Sequence, residues 1–172
     1  MANILILGAG SMGTAFSIPC SDNDHKVTIV GTYLENDFID KINIEKKHPG
    51  LGCEIPKGVK FSKFESIKEE INKEVDLIVV AVISKGIDWA SNELSKVIKK
   101  NIPILILTKG LAIYNNNYEI LAHKMERLFK KNGIKNINIS AAGGPCLARG
   151  LANRVHTSVV FANNDITIAN KI

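Results

Sequence analysis

The sequence predicts an α/β fold in which a doubly wound, mostly parallel sheet carries helices on both of its faces. Short apolar runs alternate with helical stretches along the 172 residues, as in chains built from repeated β-α-β units. Hydrophobic residues make up 45% of the chain and charged residues 23%, which is ordinary for a globular protein. The length suits a single domain, residues 1–172, that buries its core without disulfides.

Six continuous apolar runs predict strands that are buried on both faces. They are Asn3–Leu7, Lys26–Val30, Asp76–Val82, Pro103–Leu107, Asn136–Ala141 and Thr157–Phe161. Six helices are predicted between them, namely Met12–Asp22, Glu35–Ile42, Lys63–Lys73, Ile87–Lys100, Tyr118–Asn132 and Cys146–Ala152. This alternation favours right-handed crossovers between parallel strands.

Three segments interrupt the alternation. Asn43–Val59 contains two prolines and three glycines and is predicted to be a long loop, of the kind that often carries function in α/β domains. Asn115–Asn117 is predicted to be a polar turn. Asp165–Ile172 begins a helical pattern in which Asp165 is the N-cap or lies in the first turn. Because that helix is short, we expect the chain to be part of a longer protein.

A glycine motif between the first strand and the first helix predicts a dinucleotide site. Gly8-Ala9-Gly10-Ser11-Met12-Gly13 matches GxGxxG in the strand–turn–helix context of a Rossmann fold. Gly8 permits the tight turn, Gly10 lets the backbone approach a pyrophosphate, and Gly13 lets the helix pack closely on the strand. The free N–H groups and the helix dipole favour the phosphates. A plain glycine turn is the alternative.

The end of the second strand leaves the choice of dinucleotide open. An acidic residue there usually binds the ribose 2′-hydroxyl of NAD. In this chain the strand is followed by Gly31-Thr32-Tyr33-Leu34-Glu35, so the nearest acid is Glu35, which we expect to open the next helix. No arginine is present in this segment to bind a 2′-phosphate. Both NAD and NADP therefore remain candidates.

Two later loops supply further candidate groups. Lys109 directly follows a predicted buried strand and precedes a glycine, so its ammonium must point into the crevice or into solvent. Gly143-Gly144-Pro145 precedes a short predicted helix. The loop offers backbone N–H groups for a phosphate or a carboxamide, or forms a rigid turn. Cys146 is predicted at the start of that helix, and an unreactive thiol is favoured over a reactive one.

Charge and composition argue against several other classes of protein. The net charge of +5 indicates a lysine-rich solvated surface, and no compact basic run with interleaved aromatics predicts nucleic-acid binding. No apolar run is long enough for a membrane span, and no signal peptide is recognisable. We therefore expect a cytoplasmic protein without stable membrane insertion.

The cysteines and histidines show no metal-site pattern. The three cysteines Cys20, Cys53 and Cys146 have no CxxC spacing, which fits a reducing compartment. The four histidines His25, His48, His123 and His156 are scattered, so no metal is predicted. His48 is expected at the surface, although its loop can reach the site.

Taken together, five segments resemble the N-terminal domain of NAD(P)-dependent glycerol-3-phosphate dehydrogenase of the bacterial and archaeal type. They are Gly8-Ala9-Gly10-Ser11-Met12-Gly13-Thr14-Ala15, Val30-Gly31-Thr32, His48-Pro49-Gly50-Leu51-Gly52, Thr108-Lys109-Gly110-Leu111 and Gly144-Pro145-Cys146-Leu147-Ala148. The likeness extends over essentially the whole chain. The glycine motif alone is found in many dehydrogenases. Its occurrence in one chain ahead of TKGL (108–111) and then GGPxxA (143–148) is much more specific.

The resemblance implies a role for each matching residue. Besides Gly8, Gly10 and Gly13, it implies that Ser11, Met12, Thr32, Lys109 and Ala148 contact the cofactor, which is NAD or NADP. It implies that Lys109, Gly144 and Cys146 contact the substrate, and that Lys109 stabilises charge on the carbonyl oxygen. The family usually has Ser or Thr at the position of Cys146. A thiol is a weaker hydrogen-bond donor than a hydroxyl, so we expect a weaker contact between this side chain and the substrate.

The family reaction transfers a hydride between the nicotinamide and C2 of dihydroxyacetone phosphate or sn-glycerol 3-phosphate. The resemblance implies a small phosphorylated substrate and a second, all-helical domain that supplies the lysine acting as general acid and base. The 172 residues contain no such domain, so we expect the isolated chain to be inactive or weakly active. The sequence is compatible with a homodimer of the full-length protein.

Two other functions remain alternatives at this stage. One is the N-terminal domain of another two-domain dehydrogenase, of the 2-hydroxyacid or ketopantoate type. The other is a non-catalytic Rossmann module that senses a nucleotide. Substitution of Lys109 would abolish turnover in an enzyme and change nothing in a sensor.

Overall fold

The computed structural model describes all residues, 1–172. The nine strands are β1 Asn3–Leu7, β2 Lys26–Val30, β3 Val59–Ser62, β4 Leu77–Val80, β5 Ile104–Ile106, β6 Leu111–Tyr114, β7 Asn117–Ile120, β8 Ile139–Gly143 and β9 Val160–Ala162. The seven α-helices are α1 Ser11–Asp22, α2 Asn36–Glu45, α3 Ile67–Asn72, α4 Ile87–Val97, α5 Leu121–Lys131, α6 Ala148–Ala152 and α7 Ile166–Ala169. Short 3₁₀ turns precede α3 and α4, at Phe64–Ser66 and Ser84–Gly86.

Seven of the strands form one twisted sheet in the order β3-β2-β1-β4-β5-β8-β9. All neighbouring pairs are parallel except β8 and β9, which are antiparallel. The chain winds outward from β1 to β3, returns to the middle, and winds outward again from β4. The predicted doubly wound, mostly parallel sheet is confirmed. Its switch point lies between β1 and β4, where such sheets bind ligands.

The sheet buries a separate apolar cluster on each face, because successive side chains of a strand point to opposite sides. Leu5 and Leu7 of β1 pack towards α3, α4 and α5, in a cluster that includes Phe129. Ile4 and Ile6 belong to the opposite cluster, which includes residues of α2. Burial on both faces explains why these strands are continuous apolar runs rather than alternating patterns.

The turn after β1 lies directly against the end of β4. Gly8 has a φ of +110°, and a Cβ there would lie 2.9 Å from the carbonyl oxygen of Ala81. A Cβ on Gly13 would lie 2.2 Å from the carbonyl oxygen of Gly8. Real Cβ atoms do not approach so closely. The tight turn predicted for Gly8 and the close helix packing predicted for Gly13 are therefore confirmed.

One predicted helix begins too early. The residues before Leu121 in the predicted helix Tyr118–Asn132 belong to β7, which pairs with β6 in an antiparallel hairpin outside the main sheet. Asn115 and Asn116, in the predicted polar turn, have positive φ angles of 50° and 61°, as a tight hairpin turn requires. Arg127 of α5 pairs with Glu119 of β7 and lies over the ring of Tyr114. These contacts between the hairpin and α5 override the local helical pattern.

Other boundaries also differ from the prediction. The predicted loop Asn43–Val59 ends where β3 begins, and this four-residue edge strand was not predicted. The predicted strand Thr157–Phe161 is shifted to Val160–Ala162, and the predicted helix Cys146–Ala152 begins only at Ala148. Asp165 is confirmed as an N-cap, because its carboxylate accepts the N–H of Thr167 at 2.8 Å. No helix in the fold combines the length and the apolar character needed to cross a membrane.

We predict opposite effects of one substitution at two helical glycines. Gly13→Ala should lower the free energy of unfolding by about 1–3 kcal/mol, because the added methyl group overlaps the carbonyl of Gly8. Gly150→Ala, in α6, meets no atom within 4 Å and should gain up to about 1 kcal/mol from helix propensity. Urea unfolding of the two variants measures both effects. A Gly13→Ala protein as stable as the wild type would contradict the close packing.

Candidate functional site

Two cavities meet at the carboxyl edge of the sheet. The inner cavity, of about 410 Å³, lies between the ends of β1, β2 and β4. The outer cavity, of about 560 Å³, lies between the ends of β4 and β5, the start of α1 and the segment before α6. Four residues line both cavities, namely Gly10, Ala81, Val82 and Ile83. Together the cavities form one groove across the switch point, with Gly10 near its middle.

Gly10 is a glycine that the protein's own packing does not require. Its backbone is extended, with φ −63° and ψ 177°, which any residue can adopt. A Cβ on Gly10 would have only one neighbour within 4 Å, Oε1 of Glu35 at 3.9 Å. Here, in contrast to Gly8 and Gly13, the missing side chain leaves the backbone open to the groove. A ligand that must approach the main chain closely explains such a glycine.

The start of α1 presents unpaired N–H groups to this open surface. The N–H of Thr14 makes the first bond of the helix, to the carbonyl of Gly10 at 3.0 Å. No side chain caps the helix, and its first turn contains no acidic residue. The N–H groups of Ser11, Met12 and Gly13 therefore have no backbone partner. Free N–H groups at the positive end of a helix dipole form a site for a phosphate.

Glu35 opens α2 and also contributes its side chain to the site. It is the residue before α2 rather than its first helical residue, and its side chain turns back into the inner cavity. One carboxylate oxygen, Oε2, accepts the N–H of Thr32 at 2.6 Å and the N–H of Ala9 at 3.2 Å. Glu35 thereby links the loop after β2 to the glycine loop. The prediction that Glu35 opens the helix is confirmed, because Glu35 is the N-cap of α2 and its carbonyl oxygen accepts the N–H of Ile39 at 2.8 Å.

An aromatic wall of the inner cavity was missed in the sequence. Trp89 of α4 lies 5.4 Å from the ring of Tyr33, measured between ring centroids, and 4.9 Å from Phe64. Trp89 and Tyr33 both line the cavity and form a surface suited to a flat ring. The three residues are far apart in sequence, so no local pattern indicates their contact.

The later loops are joined by Lys109. Its ammonium donates to the carbonyl oxygen of Gly144 at 2.7 Å and to that of Cys146 at 3.4 Å. The hydroxyl of Thr108 donates to the carbonyl oxygen of Val82 at 2.5 Å, which fastens the end of β5 to the end of β4. Lys109, Gly144 and Cys146, selected separately from the sequence, therefore lie together. Lys109 points along the outer cavity and does not enter the core.

The remaining predicted residues divide between the two cavities. Thr32 lines the inner cavity. Ser11, Met12, Cys146 and Ala148 line the outer one. Cys146 is only 6% exposed and precedes α6 by two residues, so the prediction that it begins the helix was wrong.

His48 is buried, whereas the sequence suggested the surface. It is 2% exposed, and its ring packs edge-on against Phe38 with 5.1 Å between ring centroids. Its Nδ1 accepts the N–H of Leu51 at 3.0 Å, so the proton of the neutral ring lies on Nε2, which is buried without a partner. Burial lowers the pKa of His48, against the opposing effects of backbone carbonyls and the charge of Glu35. A Cβ on Gly50 would lie 3.7 Å from Oγ of Ser11, so this loop packs against the glycine loop.

Two further features of the chain are its possible metal ligands and its cysteines. No three side chains of His, Cys, Asp or Glu are grouped as metal ligands, and all three cysteines are free. Burial raises the pKa of the Cys20 thiol to about 12, which keeps it protonated and unreactive. The charged side chains that line the two cavities are one carboxylate, that of Glu35, and two ammonium groups, those of Lys85 and Lys109.

Comparison with known proteins agrees with this geometry. Residues 3–169 match the family model described as NAD-dependent glycerol-3-phosphate dehydrogenase N-terminus. An NADP(+)-dependent glycerol-3-phosphate dehydrogenase from Archaeoglobus fulgidus is 30% identical over 98% of this chain and 49% of its own length. A glycerol-3-phosphate dehydrogenase [NAD(P)+] from Rickettsia typhi is 34% identical over 99% of this chain and 50% of its own. The chain thus spans about half the length of the curated relatives it matches.

The fold is also shared with a solved structure. A glycerol-3-phosphate dehydrogenase from Coxiella burnetii superposes with a TM-score of 0.81 at 24% identity. The superposition covers 99% of this chain and 49% of the other. The predicted Rossmann fold is therefore confirmed over nearly the whole chain.

We predict that His48 makes stability depend on pH. Its pKa is lowered in the folded protein, so below about pH 6.5 the unfolded chain binds more protons than the folded one. The free energy of unfolding should therefore fall as the pH drops from about 6.5 through the lowered pKa of His48. His48→Gln should reduce this slope, and His156→Gln, at an exposed position, should not. Equal slopes for His48→Gln and wild type in urea unfolding at pH 5.5–7.5 would contradict the assignment.

Proposed function

The chain belongs to the NAD-dependent glycerol-3-phosphate dehydrogenase N-terminus family, and we propose that it is the cofactor-binding half of such an enzyme. The whole enzyme would interconvert sn-glycerol 3-phosphate and dihydroxyacetone phosphate by hydride transfer to or from NAD or NADP. Family membership favours this function over a dehydrogenase of the 2-hydroxyacid or ketopantoate type. The free cysteines support a reducing, cytoplasmic location, and a homodimer of the full-length protein stays a prediction.

The observation that carries the proposal is the open backbone of Gly10 between two cavities. A dinucleotide has two nucleoside halves joined by a pyrophosphate. The pyrophosphate would bind the N–H groups of Ser11, Met12 and Gly13 beside Gly10. The adenosine half would occupy the inner cavity, against Thr32 and the aromatic wall. The nicotinamide half would then reach the outer cavity and Ala148.

The outer cavity would bind the phosphorylated substrate next to the nicotinamide. The cofactor supplies the hydride chemistry when bound. The ammonium of Lys109 already binds two carbonyl oxygens, which hold it at the mouth of this cavity. A third N–H of the ammonium would donate to the substrate oxygen on C2 and stabilise the negative charge that develops there. Cys146 lines this cavity and would border the substrate, and Gly144 would do so beside the ammonium that its carbonyl oxygen binds.

The proton that accompanies hydride transfer needs a further group. Lys109 is held by carbonyl acceptors, and no other titratable side chain except Cys146 lines the outer cavity. In this family a lysine of a second, helical domain is expected to act as the general acid and base. The proposed reaction therefore requires residues beyond the half that this chain represents in its relatives.

A titration tests the proposed cofactor site. The 172-residue chain should bind NADH or NADPH, measured by calorimetry or by cofactor fluorescence. Gly10→Ala should weaken binding about tenfold or more, because the methyl group stands where the pyrophosphate must approach. Its stability should stay within about 1 kcal/mol of the wild type, since the site has room for a Cβ.

Gly150→Ala serves as the matched control for this titration, because Gly150 does not line either cavity. It should bind the dinucleotide as the wild type does. If neither dinucleotide binds at millimolar concentrations, the proposed function fails.

A second measurement tests the need for the other half. With NADH and dihydroxyacetone phosphate, the chain alone should turn over at least about 100-fold more slowly than a full-length relative such as the Rickettsia typhi protein. General acid and base groups typically contribute a factor of this size. The absorbance of NADH at 340 nm follows the reaction. Turnover by the chain at the rate of the full-length protein would contradict the proposed division of the site.

A further inference from the structure

We infer that Glu35 makes the dinucleotide site select NAD(H) against NADP(H). The inference rests on the proposed function, because it concerns the same site, and it names which dinucleotide that site takes. Family membership leaves the choice open, since the relatives described above are named as NADP(+)-dependent or as NAD(P)+ enzymes. The argument therefore depends on the residues of this chain.

The carboxylate of Glu35 is held at one place in the inner cavity. Its Oε2 accepts two backbone N–H groups, that of Thr32 at 2.6 Å and that of Ala9 at 3.2 Å. The two donors come from the loops after β2 and β1, so the carboxylate lies between those strand ends. It forms no ion pair with any lysine, arginine or histidine. The two N–H donors therefore hold the carboxylate in place, and no cationic side chain pairs with it.

This position matches the adenosine ribose of a bound dinucleotide. In Rossmann sheets that ribose lies beside the end of the second strand, next to the glycine loop. Oε1 of Glu35 has no hydrogen bond within the protein and lies 3.9 Å from the position that a Cβ on Gly10 would occupy. It is therefore free to accept a ribose hydroxyl. A carboxylate accepts two such hydrogen bonds strongly because it is charged.

The same carboxylate would repel the 2′-phosphate that distinguishes NADP from NAD. A phosphate monoester carries a charge of about −1.5 to −2 at pH 7, so the carboxylate of Glu35 would repel a 2′-phosphate on the same ribose. None of the three arginines, Arg127, Arg149 and Arg154, lines the inner cavity. Lys85 is the only cationic side chain that does, and it belongs to the turn after β4, across the cavity from β2. Glu35 thus faces the 2′ position with no arginine to offset its charge.

Dinucleotide binding by the chain and its charge variants tests this inference. We expect the wild type to bind NADH at least about tenfold more tightly than NADPH. Glu35→Gln keeps an oxygen acceptor for the two N–H groups but removes the charge. This substitution should lower the ratio of the NADH affinity to the NADPH affinity at least about threefold, mainly because NADPH binds more tightly. Asp37→Asn removes an exposed charge from α2 outside the cavity and should leave the ratio unchanged.

The wild type alone gives a second readout, in case Glu35→Gln does not fold. Salt screens the repulsion between two anions, so raising the salt concentration should narrow the preference for NADH. If the ratio of the NADH affinity to the NADPH affinity instead rises with salt, the attraction between Lys85 and the 2′-phosphate dominates. That result would overturn the inference.

The outcomes separate this inference from the proposed function. Failure of the wild type to bind either dinucleotide would overturn the proposed function and the inference with it. Binding of both with equal affinity, or of NADPH more tightly, would overturn only the role of Glu35. If a folded Glu35→Gln protein keeps the wild-type ratio of NADH affinity to NADPH affinity, the role of Glu35 is likewise overturned.

Discussion

The close contact between the turn after β1 and the end of β4 is the constraint on which the rest of the structure depends. The N–H of Gly8 donates to the carbonyl of Val30 at 2.8 Å, and the N–H of Ala81 donates to the carbonyl of Leu7 at 2.9 Å. Gly13 then packs against the carbonyl of Gly8 without room for a Cβ. Because these contacts bring α1 to the point where the strand order reverses, its free N–H groups face the groove and not the protein interior.

Two charged groups of the site are each held by the backbone of a neighbouring loop. Glu35 is held by the N–H groups of Thr32 and Ala9, and Lys109 by the carbonyl oxygens of Gly144 and Cys146. One negative and one positive group are thereby fixed in the inner and the outer cavity, on either side of Gly10. This arrangement provides different surroundings for the two ends of a dinucleotide before it binds. Such preorganisation reduces the cost of ordering the site on binding.

The sequence predicts the parts of the fold that depend on local pattern. Strands β1, β2 and β4 are buried on both faces and are therefore continuous apolar runs. Within the glycine motif, the limit at Gly13 is local because it comes from Gly8, whereas the limit at Gly8 comes from the distant Ala81. Lys109 and Gly144 could be predicted to meet, because they follow β5 and β8, which are neighbouring parallel strands. The position of the Glu35 carboxylate could not be predicted, because it depends on two N–H groups, one of which belongs to a loop 26 residues away.

Two errors in the sequence-based prediction have the same cause, a dependence on distant segments. The burial of His48 depends on Phe38 and on the glycine loop, and the β6–β7 hairpin depends on α5. Local periodicity contains no information on such contacts between distant segments. The sequence therefore predicted the sheet and most of the glycine loop, and it predicted less well the loops that complete the cavities.

Nuclear magnetic resonance of the nitrogen-15-labelled chain during titration with NADH tests the central claim most directly, because it reports on each backbone amide. The account predicts large shifts at Gly10, Ser11 and Met12, together with shifts of residues lining both cavities, such as Thr32 and Ala148. Shifts confined to one cavity, or shifts elsewhere that leave the amides of the glycine loop unchanged, would contradict it.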